Sequence, residues 1–199
     1  MMALEGYATP QGTRRYCDRM VAGGMTHRSH FSEGPTGLLL STIGMGTYLG
    51  GNDAGTDALY LEAVRQAVGR GCNVLDSAIN YRCQRSERVI GRALAELIKE
   101  NASAREELLV ATKGGFIPYD GGPPRDAYAY ILETFVNPGV INYHDVVADC
   151  HCMAPAYLRH QLDASLTNLG LSTIDVYYLH NPETQLDQVT REEFLSRMR

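Results

Sequence analysis

Short apolar runs alternate with longer stretches in which apolar residues return every third or fourth position. LLLSTIGMGTYLG (38–50) opens as a strand and then breaks at Gly44, Gly46 and Gly50, which permit tight turns. TDALYLEAVRQAVGRG (56–71) predicts a helix, with Thr56 as N-cap, Gly71 as its stop, and Leu59, Ala63, Ala67 and Arg70 on one line beside Tyr60, Val64 and Val68. NVLDSA (73–78) predicts a short buried strand. SERVIGRALAELIKE (86–100) predicts a helix capped by Ser86, with a stripe of Ile90, Leu94, Leu97 and Ile98. LLVATKGG (108–115) is the next strand. APAYLRHQLDASLTNLG (154–170) is a helix with Pro155 in its first turn and a stripe of Leu158, Leu162, Leu166 and Leu169. IDVYYLH (174–180) is a strand, and VTREEFLSRMR (189–199) opens a helix with Thr190 as N-cap and Glu193 in the capping-box position.

Strand and helix thus alternate, which calls for a parallel sheet, either doubly wound or closed into a barrel. Two segments depart from the alternation. Residues 1–36 are polar and glycine-rich and read as an irregular lead-in, while residues 116–153 show no clean periodicity. The latter are too long for a βα loop, so they read as an insertion after the third strand with some structure of its own.

A length of 199 residues suits one ordinary domain, and the net charge of -5 argues against a nucleic-acid surface. The apolar runs are too short to cross a bilayer, and the start of the chain lacks the apolar stretch of a secretory leader. The five cysteines are odd in number and spaced unlike a disulfide framework, so a reducing cytoplasm is the expected setting. In CHCMAP, Cys150, His151 and Cys152 could meet a zinc ion. C-x-C without a second spaced pair is a poor zinc signature, so the expectation is no metal and a buried segment leading into the helix at Ala154. GMGTYLGG superficially suggests a dinucleotide fingerprint, but no helix opens directly on its glycines.

Four residues stand where chemistry gathers in parallel α/β sheets. Asp76 and Lys113 lie near the C-terminal ends of two strands, His180 ends a third, and Tyr81 follows in the loop after Asp76. Each alone has a bland reading as a packing or surface residue. Together their chemistry is coherent. Tyrosine is a poor acid, with a reference pKa of about 10. A lysine ammonium beside it favours the phenolate, a carboxylate holds the lysine, and an imidazole can orient a substrate oxygen. The set would protonate an oxygen on which charge develops. It contains no hydride donor, so a redox reading requires a cofactor.

These residues resemble the N-terminal part of an aldo-keto reductase. Asp76-Ser77-Ala78-Ile79-Asn80-Tyr81 is similar to that family's D-[ST]-A-x-x-Y, RSERVIG (85–91) to its next helix start, and ATKGG to the strand bearing its lysine. IDVYYLHNPE (174–183) resembles the strand ending in its histidine, and LSTIGMGTYLG its first strand and cofactor-facing loop. The ordered match runs from about residue 37 to 183. It implies a (β/α)8 TIM barrel and reduction of an aldehyde or ketone by NADP(H) or NAD(H). In this reading Tyr81 is the proton donor, Lys113 and Asp76 tune it, and His180 orients the carbonyl. Thr47 and Asp76 face the nicotinamide and its ribose. A histidine at 180, where the steroid double-bond reductases have glutamate, favours carbonyls over carbon–carbon double bonds.

A full barrel of this kind takes roughly 250 residues. The expectation is therefore an N-terminal half of the barrel over residues 37–199: four βα units, with the insertion 116–153 shaping the mouth or covering its edge. The cofactor's phosphate and amide contacts would then lie beyond Arg199. The chain would be an inactive piece of a longer reductase, or less readily a natural half-barrel completed by self-association. Two other classes stay open. A non-catalytic nicotinamide-binding subunit, like the potassium-channel regulators of this family, would need a partner surface. A metal-dependent barrel hydrolase would need more ligands at strand ends than His180 and Asp76. Otherwise the expected partner is a small carbonyl substrate, with no nucleic acid and no membrane.

Overall fold

The computed structural model describes residues 3–199. In chain order its helices and strands are α1 (Pro10–Ala22), β1 (Phe31–Glu33), β2 (Leu39–Ser41), β3 (Met45–Gly46), α2 (Ala54–Gly69), β4 (Val74–Asp76), α3 (Arg85–Lys99) and β5 (Leu109–Gly114). There follow α4 (Ala127–Ile131), β6 (Val146–Val147), β7 (His151–Cys152), α5 (Pro155–Leu169), β8 (Val176–Leu179) and α6 (Arg191–Arg197).

The described residues therefore hold eight strands and six α-helices, and the expectation of an N-terminal half with only four βα units is corrected. The strands that the apolar pattern did not predict are two or three residues long, too short to show a period. β3, β4, β5 and β8 form a parallel sheet in that order, while β1–β2 and β6–β7 are antiparallel pairs. The run 38–50, expected as one strand, is divided. Leu39–Ser41 pairs with Phe31–Glu33, and only Met45–Gly46 joins the parallel sheet.

The lead-in is not irregular. Thr9 caps α1 by accepting from the Gly12 N–H at 3.0 Å, with Pro10 at the first helical position. Tyr16, Cys17 and Met20 enter the main core, and the Tyr16 hydroxyl donates to the Val68 carbonyl at 2.5 Å. That core also gathers Val64 and Val68 from α2, Leu75 from β4, Ile90, Leu94 and Leu97 from α3, and Leu108 and Val110 at β5.

The caps and faces differ in detail from the pattern. Asp53, rather than Thr56, caps α2 by accepting from the Thr56 N–H at 2.9 Å. Ser86 lies inside α3, and its hydroxyl donates to the Thr47 carbonyl at 2.7 Å. Leu59 of α2 is 73% exposed, and the helix is buried through Val64 and Val68 instead. On α5 the buried face is Tyr157, Gln161, Ser165 and Leu169, so Leu169 of the predicted leucine line is buried while the rest of the face lies one position off it. Pro155 and Thr190 stand where expected.

The 116–153 segment has a core of its own, in which Ile117, Ile131, Phe135, Ile141, Val146 and Cys152 pack against Tyr157 of α5. A bridge between Phe116 and His151 fastens β7 to the end of β5. α3 and α5 cross closely at Gly91, where a Cβ would come within 2.6 Å of the Leu169 carbonyl oxygen. No helix of the described residues is long and apolar enough to cross a membrane.

Candidate active site at the strand ends

The register of the sheet brings the site together. Asp76 ends β4 opposite Gly46 and Ala111, and Lys113 lies next to last on β5 opposite Tyr178. His180 follows β8 directly, with its N–H donating to the Gly114 carbonyl at 2.7 Å. All the strands run the same way, so these C-terminal ends share one side. Asp76, Tyr81, Lys113 and His180 converge there.

Lys113 Nζ donates to Asp76 Oδ2 at 2.7 Å and to the Ser77 carbonyl at 2.6 Å. The same ammonium lies 4.9 Å from the centroid of the Tyr81 ring, over its face. His180 stands edge-on to Tyr81 with ring centroids 5.5 Å apart, and exposed Tyr48 approaches Tyr81 at 5.0 Å. Tyr48, Asn80, Tyr81, Phe116, His180 and Asn181 line a cleft of about 370 Å³.

His180 is 9% exposed. Burial, helped by the Lys113 charge and opposed by Asp76 and Glu183, pushes its pKa down to about 4. It is therefore an uncharged imidazole near neutral pH. Its Nδ1 lies 3.1 Å from Asn80 Oδ1. The Asn80 carboxamide thus decides which ring nitrogen carries the proton.

The loop that presents Tyr81 is held against its own preference. Arg82, Cys83 and Gln84 all have left-handed backbone, with φ of 49°, 53° and 69°. Such residues cost on the order of 1–3 kcal/mol each and persist only where their surroundings fix them. The Arg82 side chain does so. It is 5% exposed and stacks over Tyr60, with Nε donating to the Gly51 carbonyl at 2.8 Å and Nη2 to Asp57 at 2.6 Å. Arg85 grips the other oxygen of Asp57. The loop after β3 and the loop after β4 are thereby tied together.

Thr47 also reaches the site, but its hydroxyl is buried and turned toward the Asp76 carbonyl at 3.3 Å and Ser77 Oγ at 3.0 Å. The pattern gave no site role to Asn80, Phe116 or Tyr48, and it weighed His151 only as a zinc candidate. Asn80 stands inside the quoted motif, and its position next to Tyr81 was the only signal available. Among the described residues no three His, Cys, Asp or Glu side chains gather as a metal site requires.

A parallel sheet thus brings tyrosine, lysine, aspartate and histidine to one set of strand ends in an α/β fold. The aldo/keto reductase family matches residues 42–198, most of the chain, and the protein belongs to that family. It is 28% identical over 155 residues to the NADH-specific methylglyoxal reductase of Escherichia coli (strain K12), covering 74% of this chain and 40% of that protein. It is 36% identical over 81 residues to the aldo-keto reductase YhdN of Bacillus subtilis (strain 168), covering 39% of this chain and 23% of that one. An aldo-keto reductase of Bacillus halodurans in its holo form matches in fold, with a TM-score of 0.50 and 20% identity over 79% of this chain and 44% of that chain. The chain spans about 40% of the length of the first curated relatives it matches.

Proposed function

We propose that the protein is an NAD(P)H-dependent oxidoreductase that reduces an aldehyde or ketone to an alcohol, with Tyr81 as the acid. The observation that carries this reading is the Tyr81 ring placed between the Lys113 ammonium on its face and the His180 imidazole at its edge. A reduced nicotinamide bound here would supply hydride to the carbonyl carbon. The residues of the chain would supply the rest.

The phenol of Tyr81 gives its proton to the carbonyl oxygen as charge builds there. Lys113, anchored by Asp76 and the Ser77 carbonyl, sets its positive charge over the ring from which the proton leaves. A histidine that is uncharged near neutral pH has no spare proton to lose, which leaves the acid role to Tyr81. His180 instead orients the carbonyl through Nε2–H. The structure has Asn80 Oδ1 at Nδ1, so that role needs the Asn80 carboxamide flipped to bring its NH2 there.

The residues present suit the nicotinamide end of such a cofactor. The Asp76 side chain is 38% exposed beside the cleft, and open space lies over Gly46 where a Cβ would sit. The name of the Escherichia coli relative makes NADH and methylglyoxal the first pair to try, with NADPH and simple aldehydes beside them. Five free thiols suit a reducing, cytoplasmic setting.

Tyr81→Phe keeps the ring and removes the phenolic proton. Turnover is expected to fall by about 10²–10⁴-fold. Cofactor affinity, followed by nicotinamide fluorescence, should be unchanged. Turnover near that of the parent protein would reject Tyr81 as the donor.

A further inference from the structure

His151 lies in the segment without sequence periodicity, on β7, and is fully buried at 0% exposure. A buried imidazole has two nitrogens to satisfy, and here both partners can be assigned. Its Nε2 lies 2.7 Å from the backbone carbonyl oxygen of His180. A carbonyl only accepts, so Nε2 carries the proton. Nδ1 is then a lone pair, and Gln185 Nε2 donates to it at 2.9 Å.

The orientation of Gln185 is fixed in turn. Its Oε1 accepts from Arg197 Nη1 at 2.6 Å, and a guanidinium can only donate. The chain from Arg197 through Gln185 and His151 to the His180 carbonyl thus has one consistent set of proton positions. Burial holds His151 below the ordinary histidine pKa although its bond to His180 pulls the other way. It stays neutral, as the relay requires.

The far end of this relay is the residue that faces the cleft. The His180 N–H is tied to β5 and its C=O to His151, so the peptide unit is held from both sides. Immediately beyond, Asn181 takes a left-handed turn with φ of 43°. Phe116 sits edge-on to both imidazoles at 5.0 Å. The approach is so close that Gly115, with φ of +137°, has no room for a side chain. A Cβ there would lie 2.7 Å from His151 Nε2 and 3.2 Å from the His180 oxygen.

We propose that His151 is a positioning residue for His180, and that the 116–153 insertion is thereby part of the working site rather than a cover. The inference rests on the proposed carbonyl reduction for its catalytic meaning, but not for its geometry. Losing the His151 bond would free the His180 carbonyl and the Asn181 turn, letting the imidazole drift from the substrate oxygen. Misplacement of about 1 Å can cost about 10²-fold in rate.

The test compares His151→Leu with His151→Gln in the intact protein, because a glutamine amide can still donate to the His180 carbonyl. Reduction of 4-nitrobenzaldehyde by NADPH and NADH gives kcat and KM. Histidine ring resonances of isotope-labelled protein give the state of His180, its signals identified with His180→Asn. His151→Leu is expected to lower kcat about tenfold or more. It should move the His180 signals while leaving cofactor affinity unchanged, and His151→Gln should restore both readouts. If His151→Leu leaves kcat and the His180 signals untouched, or if folded His151→Gln restores neither, the proposal falls.

Should His151→Leu fail to fold, Arg197→Met frees the Gln185 carboxamide from the far end of the relay. The His180 signals should then shift in the same direction by less, and unchanged signals would overturn the proposal. The Tyr81→Phe measurement separates the two readings. High activity in that variant rejects the acid role, while the His180 signals still report on His151.

Discussion

α3 and α5 are both 15-residue helices that pack on the sheet and on each other, yet they bury opposite kinds of surface. α3 turns in Val89, Ile90, Ala93, Leu94 and Leu97. α5 turns in Tyr157, Gln161 and Ser165 before reaching Leu169. The polar face of α5 is engaged with the backbone. Gln161 Oε1 accepts from the Gly115 N–H at 2.7 Å, and its Nε2 donates to the Phe116 carbonyl at 2.7 Å and to the Tyr157 hydroxyl at 2.7 Å. Tyr157 in turn donates to the Phe116 carbonyl at 3.2 Å. α3 therefore serves stability through area removed from water. α5 holds the turn that follows Lys113 and leads to His151. One helix holds the sheet together, and the other shapes the edge of the cleft.

The largest expected effect tests the apolar side of this contrast. Leu94 is wholly buried, and Leu94→Ala should lower stability by about 2–5 kcal/mol in a denaturant titration. Whatever fraction stays folded should turn over carbonyl substrate at the parental kcat. A folded Leu94→Ala protein with collapsed kcat would erase the distinction between the two helices.

The polar side predicts the converse. Gln161→Leu keeps the volume but leaves the Gly115 N–H and part of the Phe116 carbonyl unpaired in a buried place. The expected loss is about 1–3 kcal/mol, smaller than for Leu94→Ala. Its effect on kcat should nevertheless be greater, since the Gly115–Phe116 turn abuts both His151 and His180. Unchanged kcat in folded Gln161→Leu would reduce α5 to a packing element.

The same contrast explains what could be read from the chain. α3 was legible because its buried residues are apolar and recur at helical spacing. α5 was legible as a helix, but apart from Leu169 the leucine line pointed one position away from the true face. Hydrophobicity cannot reveal a face buried through hydrogen bonds. Asp76, Tyr81, Lys113 and His180 could be placed together because parallel strands present their C-terminal ends on one side, and each residue sits at or just past such an end. His151 could not, since its significance arises from a strand of two residues and a bond to a carbonyl 29 positions away. The lead-in hid α1 for a related reason. Its Thr9–Pro10 start is a valid cap, but the helix that follows is mostly polar and buries only a narrow face.

The smallest expected effect lies where the two faces meet. Glu87 is the buried carboxyl of the mainly apolar α3 face, and its partners are Thr112 of β5, donating at 2.6 Å, and Asn168 of α5, donating at 3.0 Å. Burial raises its pKa from the model-compound value of 4.5, and those two hydrogen bonds only partly oppose the rise. The folded chain therefore keeps a proton that the unfolded chain releases once pH exceeds about 4.5. Above that point the native state binds more protons than the unfolded state, so stability falls as pH rises until the folded value is passed. Glu87→Gln has no proton to lose and should abolish that slope. Urea midpoints of the two proteins are expected to diverge as pH rises above about 4.5, the parent losing ground with each step upward. Because α3 is held mainly by its apolar residues, the separation should stay below the Leu94→Ala loss. Parallel pH profiles for the two proteins would mean that Glu87 ionises in the fold, and that the junction of the two helices is wetter than its 0% exposure indicates.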